Sequence, residues 1–416
     1  MLLILSVAAW YILANFGFGK AIIPYLEEQV AAQTDTSTAV NSDSDSIFPD
    51  MPEAPVVPDH DHDDFSFDSV HTVSVPSVEE DFDIQAHLQL MRQNVSKYNY
   101  TLAYKHGARI ASYLLAKPIY VAEWGQILLE SGRPNEAVNV LQRIVEEDTV
   151  KSDVTINMAF AMLRSKNADA AVEFLDKQMI NNKDVDLLVA KAAIISEHPE
   201  VKKRVDAERI FARYANNSII SPRADYWYGR FLMQRGDFQK SKMYLERAIK
   251  EKPNEPRYIA RLGMAEFFLK QDSKAEALYK QALKINPYDY NTWFNLGELY
   301  LSLANESSNV QNIRQKTHQA MSSYKQVLEN DPMHAMANYR IGLILNGNGQ
   351  YKEAIPHLNI ALEKMPQEIP VMQQLSAAYI SLGDTTRSVG YLENILQIDP
   401  FNRIAASEFN RIRGRR

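Results

Sequence analysis

Residues 335–368 read AMANYRIGLILNGNGQYKEAIPHLNIALEKMPQE, and the placing of small and large residues in this stretch decides the fold. Gly342, Ala354 and Ala361 are small, and Leu358 is large. Gly349-Gln350 interrupts the stretch near its middle, and Pro366 lies near its end. Two apolar-periodic runs divided by a glycine turn predict an antiparallel helix pair. The turn glycine ends the first helix in a left-handed conformation. Proline stops the second helix and fixes the entry to whatever follows.

The same spacing recurs on both sides. Pro253, Pro287, Pro332, Pro366 and Pro400 are 34, 45, 34 and 34 residues apart. With each proline at position 32 of a 34-residue repeat, position 8 holds Gly229, Gly263, Gly297, Gly342 and Ser376. Position 20 holds Ser241, Ala275, Ala320, Ala354 and Ser388. Position 24 is large: Leu245, Tyr279, Tyr324, Leu358 and Leu392. Position 27 holds Ala248, Ala282, Val327, Ala361 and Ile395. Upstream, Gly125, Ala159 and Ala193 fall at position 8, and Ala103, Ala137, Ala171 and Ala207 at position 20. Repeats then start at 84, 118, 152, 186, 222, 256, 290, 335 and 369, with two extra residues in the fourth and eleven in the seventh. The insert near 301–319 either lengthens both helices or forms a protruding loop. Residues 403–416 predict a closing helix in which Ile404, Ala405, Phe409 and Ile412 cover the last repeat. No repeat buries its apolar face alone, so stacking supplies the core.

Trp293, Leu296, Gly297, Tyr300, Ala320, Tyr324 and Pro332 stand in the order of a known signature, and the 34-residue unit resembles the tetratricopeptide repeat. The resemblance runs over about 84–402. It implies an all-α, right-handed superhelical solenoid of about nine helix-turn-helix repeats plus a C-terminal capping helix. It also implies a concave groove, lined by the first helix of each repeat, that binds protein partners. Positions 2, 5, 6, 9 and 12 face that groove in the family. From the fifth to the eighth repeat they include Arg223, Tyr226, Arg230, Arg257, Arg261, Asn295, Tyr339 and Arg340. Guanidinium forks beside aromatic rings suit carboxylates of an extended acidic segment. An ordinary solvated helix face is the plainer reading, and both stay open here. Some relatives clamp a C-terminal carboxylate. Only Asn295 and Arg340 fit that clamp, with Ala260, Met264 and Met336 at its other positions, so co-chaperone activity is not the main expectation.

Ahead of the repeats, Met1–Gly19 holds no charged residue and is rich in Leu, Ile, Trp and Phe. Its length predicts a membrane-spanning anchor over 1–26 and a single-pass membrane protein, with the repeats leaning to the extracytoplasmic side. A cleaved signal is the alternative, leaving a secreted binding module. Residues 21–83 hold sixteen Asp/Glu and no Lys or Arg, with five prolines between 49 and 76. That composition predicts a disordered acidic linker over 27–83, serving either as a tether or as a ligand for the basic groove. Residues 84–416 carry 44 Lys/Arg against 36 Asp/Glu, too small a surplus to argue for nucleic acid. His60, Asp61, His62, Asp63, Asp64 and His71 offer donors of metal-ligand type, but a metal site is not expected in such a linker. The absence of cysteine excludes disulfides, thiolate metal sites and a cysteine nucleophile. No phosphate-cradling loop, dinucleotide fingerprint, His-Glu-x-x-His or nucleophile elbow occurs, so neither cofactor nor catalysis is expected. The expectation is a membrane-anchored scaffold in a multiprotein envelope assembly.

Overall fold

The computed structural model describes residues 78–145, 152–180, 184–197, 201–215 and 221–414. Twenty helices lie among them, and no strand does. The first repeat comprises α1 (Val78–Ser96), α2 (Tyr100–Arg109) and the short α3 (Ala111–Leu115). Pairs follow: α4 (Pro118–Glu130) with α5 (Pro134–Leu141), α6 (Ser152–Arg164) with α7 (Ala168–Gln178), and α8 (Val185–Ser196) with α9 (Val201–Ala215). Next come α10 (Pro222–Gln234) with α11 (Phe238–Glu251) and α12 (Pro256–Phe268) with α13 (Asp272–Ile285). The last pairs are α14 (Tyr290–Glu306) with α15 (Val310–Asn330), α16 (Ala335–Gly347) with α17 (Tyr351–Lys364), and α18 (Ile369–Ser381) with α19 (Thr385–Ile398), before α20 (Arg403–Arg413). From the second repeat on, each first helix begins within one residue of the start set by the proline frame. The described residues fall into two compact bodies: an N-terminal one of 78–265 and 281–288, and a C-terminal one of 266–280 and 289–414.

Inside each pair the small and large positions interlock. A Cβ added to Gly342 would lie 2.6 Å from Leu358, and one added to Gly297 would lie 2.6 Å from the ring of Tyr324. Position 8 is therefore empty because position 24 fills it. Ala320, Ala354, Val327 and Ala361 are fully buried along the same seam. Where the pair carries serines, Ser376 Oγ and Ser388 Oγ meet at 2.8 Å, which satisfies both buried hydroxyls.

The turn between paired helices repeats one conformation. Tyr98, Gly132, Lys166, Gly236, Lys270, Gly349 and Gly383 all have φ between 60° and 81°. All occupy position 15 of their repeats. Each is followed by an N–H that bonds back to a carbonyl five residues earlier, as Asp237 N does to Leu232 O at 2.9 Å and Gln271 N to Glu266 O at 2.9 Å. Three of the seven are not glycine and carry the steric cost of that conformation. The side chains of Asp237 and Asp384 then cap the second helix.

The seventh repeat resolves its insert as longer helices. Helix α14 has 17 residues and α15 has 21, against 13 in α16 and 14 in α17. At the C-terminal end, Ala405 and Ile412 are buried, but Ile404 is 59% exposed. Ala405, Phe409 and Ile412 fall four and three residues apart on one face; Ile404 is off that face and covers nothing.

The expected membrane span needs correction. Residues 1–26, most of the linker and the His60–His71 stretch lie outside the described residues. Among the described residues no helix is long and apolar enough to cross a membrane. Helix α15 has the length but buries one face only, and its other faces carry Arg314, Lys325 and Glu329. The transmembrane helix, the single-pass localisation and the membrane as a partner are withdrawn on that finding.

Candidate partner-binding site

Five of the eight expected groove residues come together in the N-terminal body. Helix α10 carries Arg223, Tyr226 and Arg230, spaced three and four residues apart on one face. Helix α12 carries Arg257 and Arg261, one turn apart. The ring of Tyr226 stacks on Tyr258, with centroids 4.8 Å apart and planes 24° from parallel. Burial drives the Tyr226 phenol upward, but the cations of Arg261, Arg230 and Arg257, and a hydrogen bond with Arg261, hold it below the usual tyrosine range. The potential at this oxygen is therefore positive.

Three of these arginines are tied to acids that lie outside the groove positions of the fifth to eighth repeats. Arg223 Nη2 lies 2.6 Å from Asp153 Oδ1, and its Nη1 3.8 Å from Asp186 Oδ2. Arg230 pairs with Glu197. Arg257 donates from Nε to Glu255 Oε1 at 3.0 Å and from Nη1 to Glu130 Oε1 at 3.3 Å. Arg261 Nη1 lies 3.5 Å from the Met264 sulfur. Two of these pairs leap across the stack. Arg223–Asp153 joins α10 to α6 past α8, and Arg257–Glu130 joins α12 to α4 past three first helices. Tyr98 and Tyr100, at the turn of the first repeat, lie in the field of Glu255, Arg257 and Glu130. Arg257 keeps 58% of its side chain exposed; burial works against its charge, but Glu130 and Glu255 outweigh that and hold the guanidinium's pKa above its ordinary value. Asp153 and Glu197 occupy positions 2 and 12 of the third and fourth repeats, so the same position rule finds them once it is extended upstream.

The C-terminal body places the other three differently. Asn295 is buried, and its Oδ1 has no hydrogen-bond partner. Tyr339 is buried, which pushes its phenol up to about 12. Arg340 is 2% exposed and grips Glu298 with two bonds, Nε to Oε1 at 2.8 Å and Nη2 to Oε2 at 2.9 Å. Tyr324 donates to the same Oε1 at 2.5 Å. Every residue from Ala335 to Asn346 is buried, so α16 presents no open face on which Arg340 could meet a partner. Asn295 and Arg340 therefore do not form an open clamp for a carboxylate. Among the described residues no group of three or more His, Asp or Glu side chains is placed to hold a metal ion.

Family profiles described as "Tetratricopeptide repeat" match residues 128–194, 229–290 with 314–369, and 278–320, together half of the chain. The chain belongs to the tetratricopeptide repeat family. It is similar to human "Superkiller complex protein 3", 25% identical over 140 residues, which are 32% of this chain and 8% of that protein. It is also similar to human "Protein O-mannosyl-transferase TMTC3", 20% identical over 298 residues, 71% of this chain and 31% of that protein. The chain thus matches less than a third of the length of either relative. A structural likeness to the "APC/C hetero-tetramer Cut9-Hcn1" has a TM-score of 0.57 at 15% identity, covering 80% of this chain and 64% of that one. This likeness shows the fold alone. These family matches support a scaffold role for the stack.

Proposed function

We propose that this tetratricopeptide protein is a binding module for protein partners, and that the inner wall of its N-terminal body takes an extended acidic segment of a partner. The observation that carries the reading is the gathering of Arg230, Arg257 and Arg261, from two adjacent first helices, about the Tyr226 ring that stacks on Tyr258. Positive potential beside two stacked aromatic rings favours a carboxylate on a flexible strand. No membrane segment enters the proposal.

Fluorescence anisotropy tests it, with a labelled eleven-residue peptide carrying glutamate at alternate positions. Arg230→Glu with Arg261→Glu should weaken binding at least tenfold, and Arg403→Glu on α20 should leave it unchanged. Binding should also weaken as salt rises, because exposed charges are screened. Equal binding by all three proteins, or none by the native chain, would remove this wall as the site.

A further inference from the structure

The inner face of the N-terminal body is crossed by a bridge that joins residues 127 apart in the chain. We propose that Arg257–Glu130 is a clasp, and that an acidic partner strand enters by drawing Arg257 away from Glu130 and Glu255. The inference rests on the reading of this wall as a site for acidic segments.

Three features of the bridge suit it to opening. It is thin: one guanidinium spans from the start of α12 to the end of α4, with Tyr98 and Tyr100 beside it. It is reached by water: Arg257 is 58% and Glu130 24% exposed, so solvent touches both sides of the pair. It is exchangeable: a guanidinium has five N–H donors in a planar fork, and these contacts engage only Nε and Nη1. A third carboxylate can bind before the first leaves, so Arg257 need never be left bare.

The spacing behind the clasp defines the entrant. Arg261 follows Arg257 by one turn of α12, a rise of about 6 Å. Side chains on one face of an extended strand recur about every 6.6 Å. Acidic residues at alternate positions of a strand therefore match the two arginines in turn. The outer one meets the clasp, and the inner one meets Arg261 and Tyr226.

The test uses the full chain and the same alternating-glutamate peptide. Glu130→Gln opens the clasp while keeping every cation, and should raise the association rate and tighten binding by about threefold to tenfold at low salt. Since the chain has no cysteine, dyes on Asn135→Cys and Asn254→Cys, near the two sides of the bridge, report its opening directly. Their separation should grow on adding peptide to the chain with Glu130 intact. If Arg261→Gln weakens binding but Glu130→Gln changes neither rate nor affinity and the dyes do not move apart, the clasp is overturned and the site survives. If the peptide binds neither the native chain nor Glu130→Gln, the site itself is overturned and the clasp with it.

Discussion

Arg340 and Glu298, 42 residues apart, meet inside the C-terminal body as a doubly hydrogen-bonded ion pair with almost no contact with water. Removing one partner leaves the other charged and enclosed. Arg340→Ala should therefore destabilise this body by about 3–5 kcal/mol. Replacing both by Arg340→Met and Glu298→Met should cost less, the remainder reflecting the Tyr324 hydroxyl, which loses that acceptor (about 1–3 kcal/mol). Chemical denaturation of the three proteins measures the order. A single variant no weaker than the double one would contradict the pair's structural role.

Two glycines in the same body should respond to alanine with opposite sign. At Gly297 the new methyl meets the Tyr324 ring at 2.6 Å, and overpacking of this kind costs about 1–3 kcal/mol. At Gly390, inside α19, nothing lies within 4 Å. Alanine there should stabilise by roughly 0.5–1 kcal/mol through helix propensity. Melting temperatures of the two variants should move apart; a shared direction would refute the interlocking of positions 8 and 24.

These glycines also show how far the sequence could be read. The place of Gly297 in the frame was legible because position 8 and position 24 recur together, and a close-packed pair needs one small and one large residue. The turn was legible at Gly349, where a glycine divides two apolar-periodic runs. It was hidden at Tyr98, Lys166 and Lys270, where the stack holds a left-handed backbone without glycine. Arginine partners were less legible still. Side-chain type and helical face are local, whereas the pairing of Arg340 with Glu298 depends on how neighbouring repeats pack, and that of Arg257 with Glu130 on the path of the stack over three intervening first helices. Position 6 looked like a groove position in α16 and proved enclosed, because no exposed face of that helix remains.

Glu368 gives the C-terminal body a pH dependence. Its carboxyl is buried at the start of α18 with Oε1 unpartnered, and burial raises its pKa to about 8 from an ordinary 4.5. Between those values the folded chain keeps a proton that the unfolded chain has lost. This group's contribution to stability is therefore full below pH 4.5, falls as pH rises and is flat above about 8. Denaturation midpoints should show that decline in the native protein, and Glu368→Gln should flatten it. An unchanged slope in the variant would assign the decline to other groups.

The eleven inserted residues of the seventh repeat carry a rule about permissible length. Helix α14 exceeds α16 by four residues and α15 exceeds α17 by seven, while the connection stays at three residues in both pairs. At about 100° per residue, four residues return the helix to within about 40° of its starting azimuth, and seven to within about 20°. The hairpin grew in whole turns, so its tip still faces itself. Length change at this hairpin is in effect quantised. Trimming it by a full turn on each side preserves the meeting of the two helices, whereas a shift of one or two residues swings one tip away from the other.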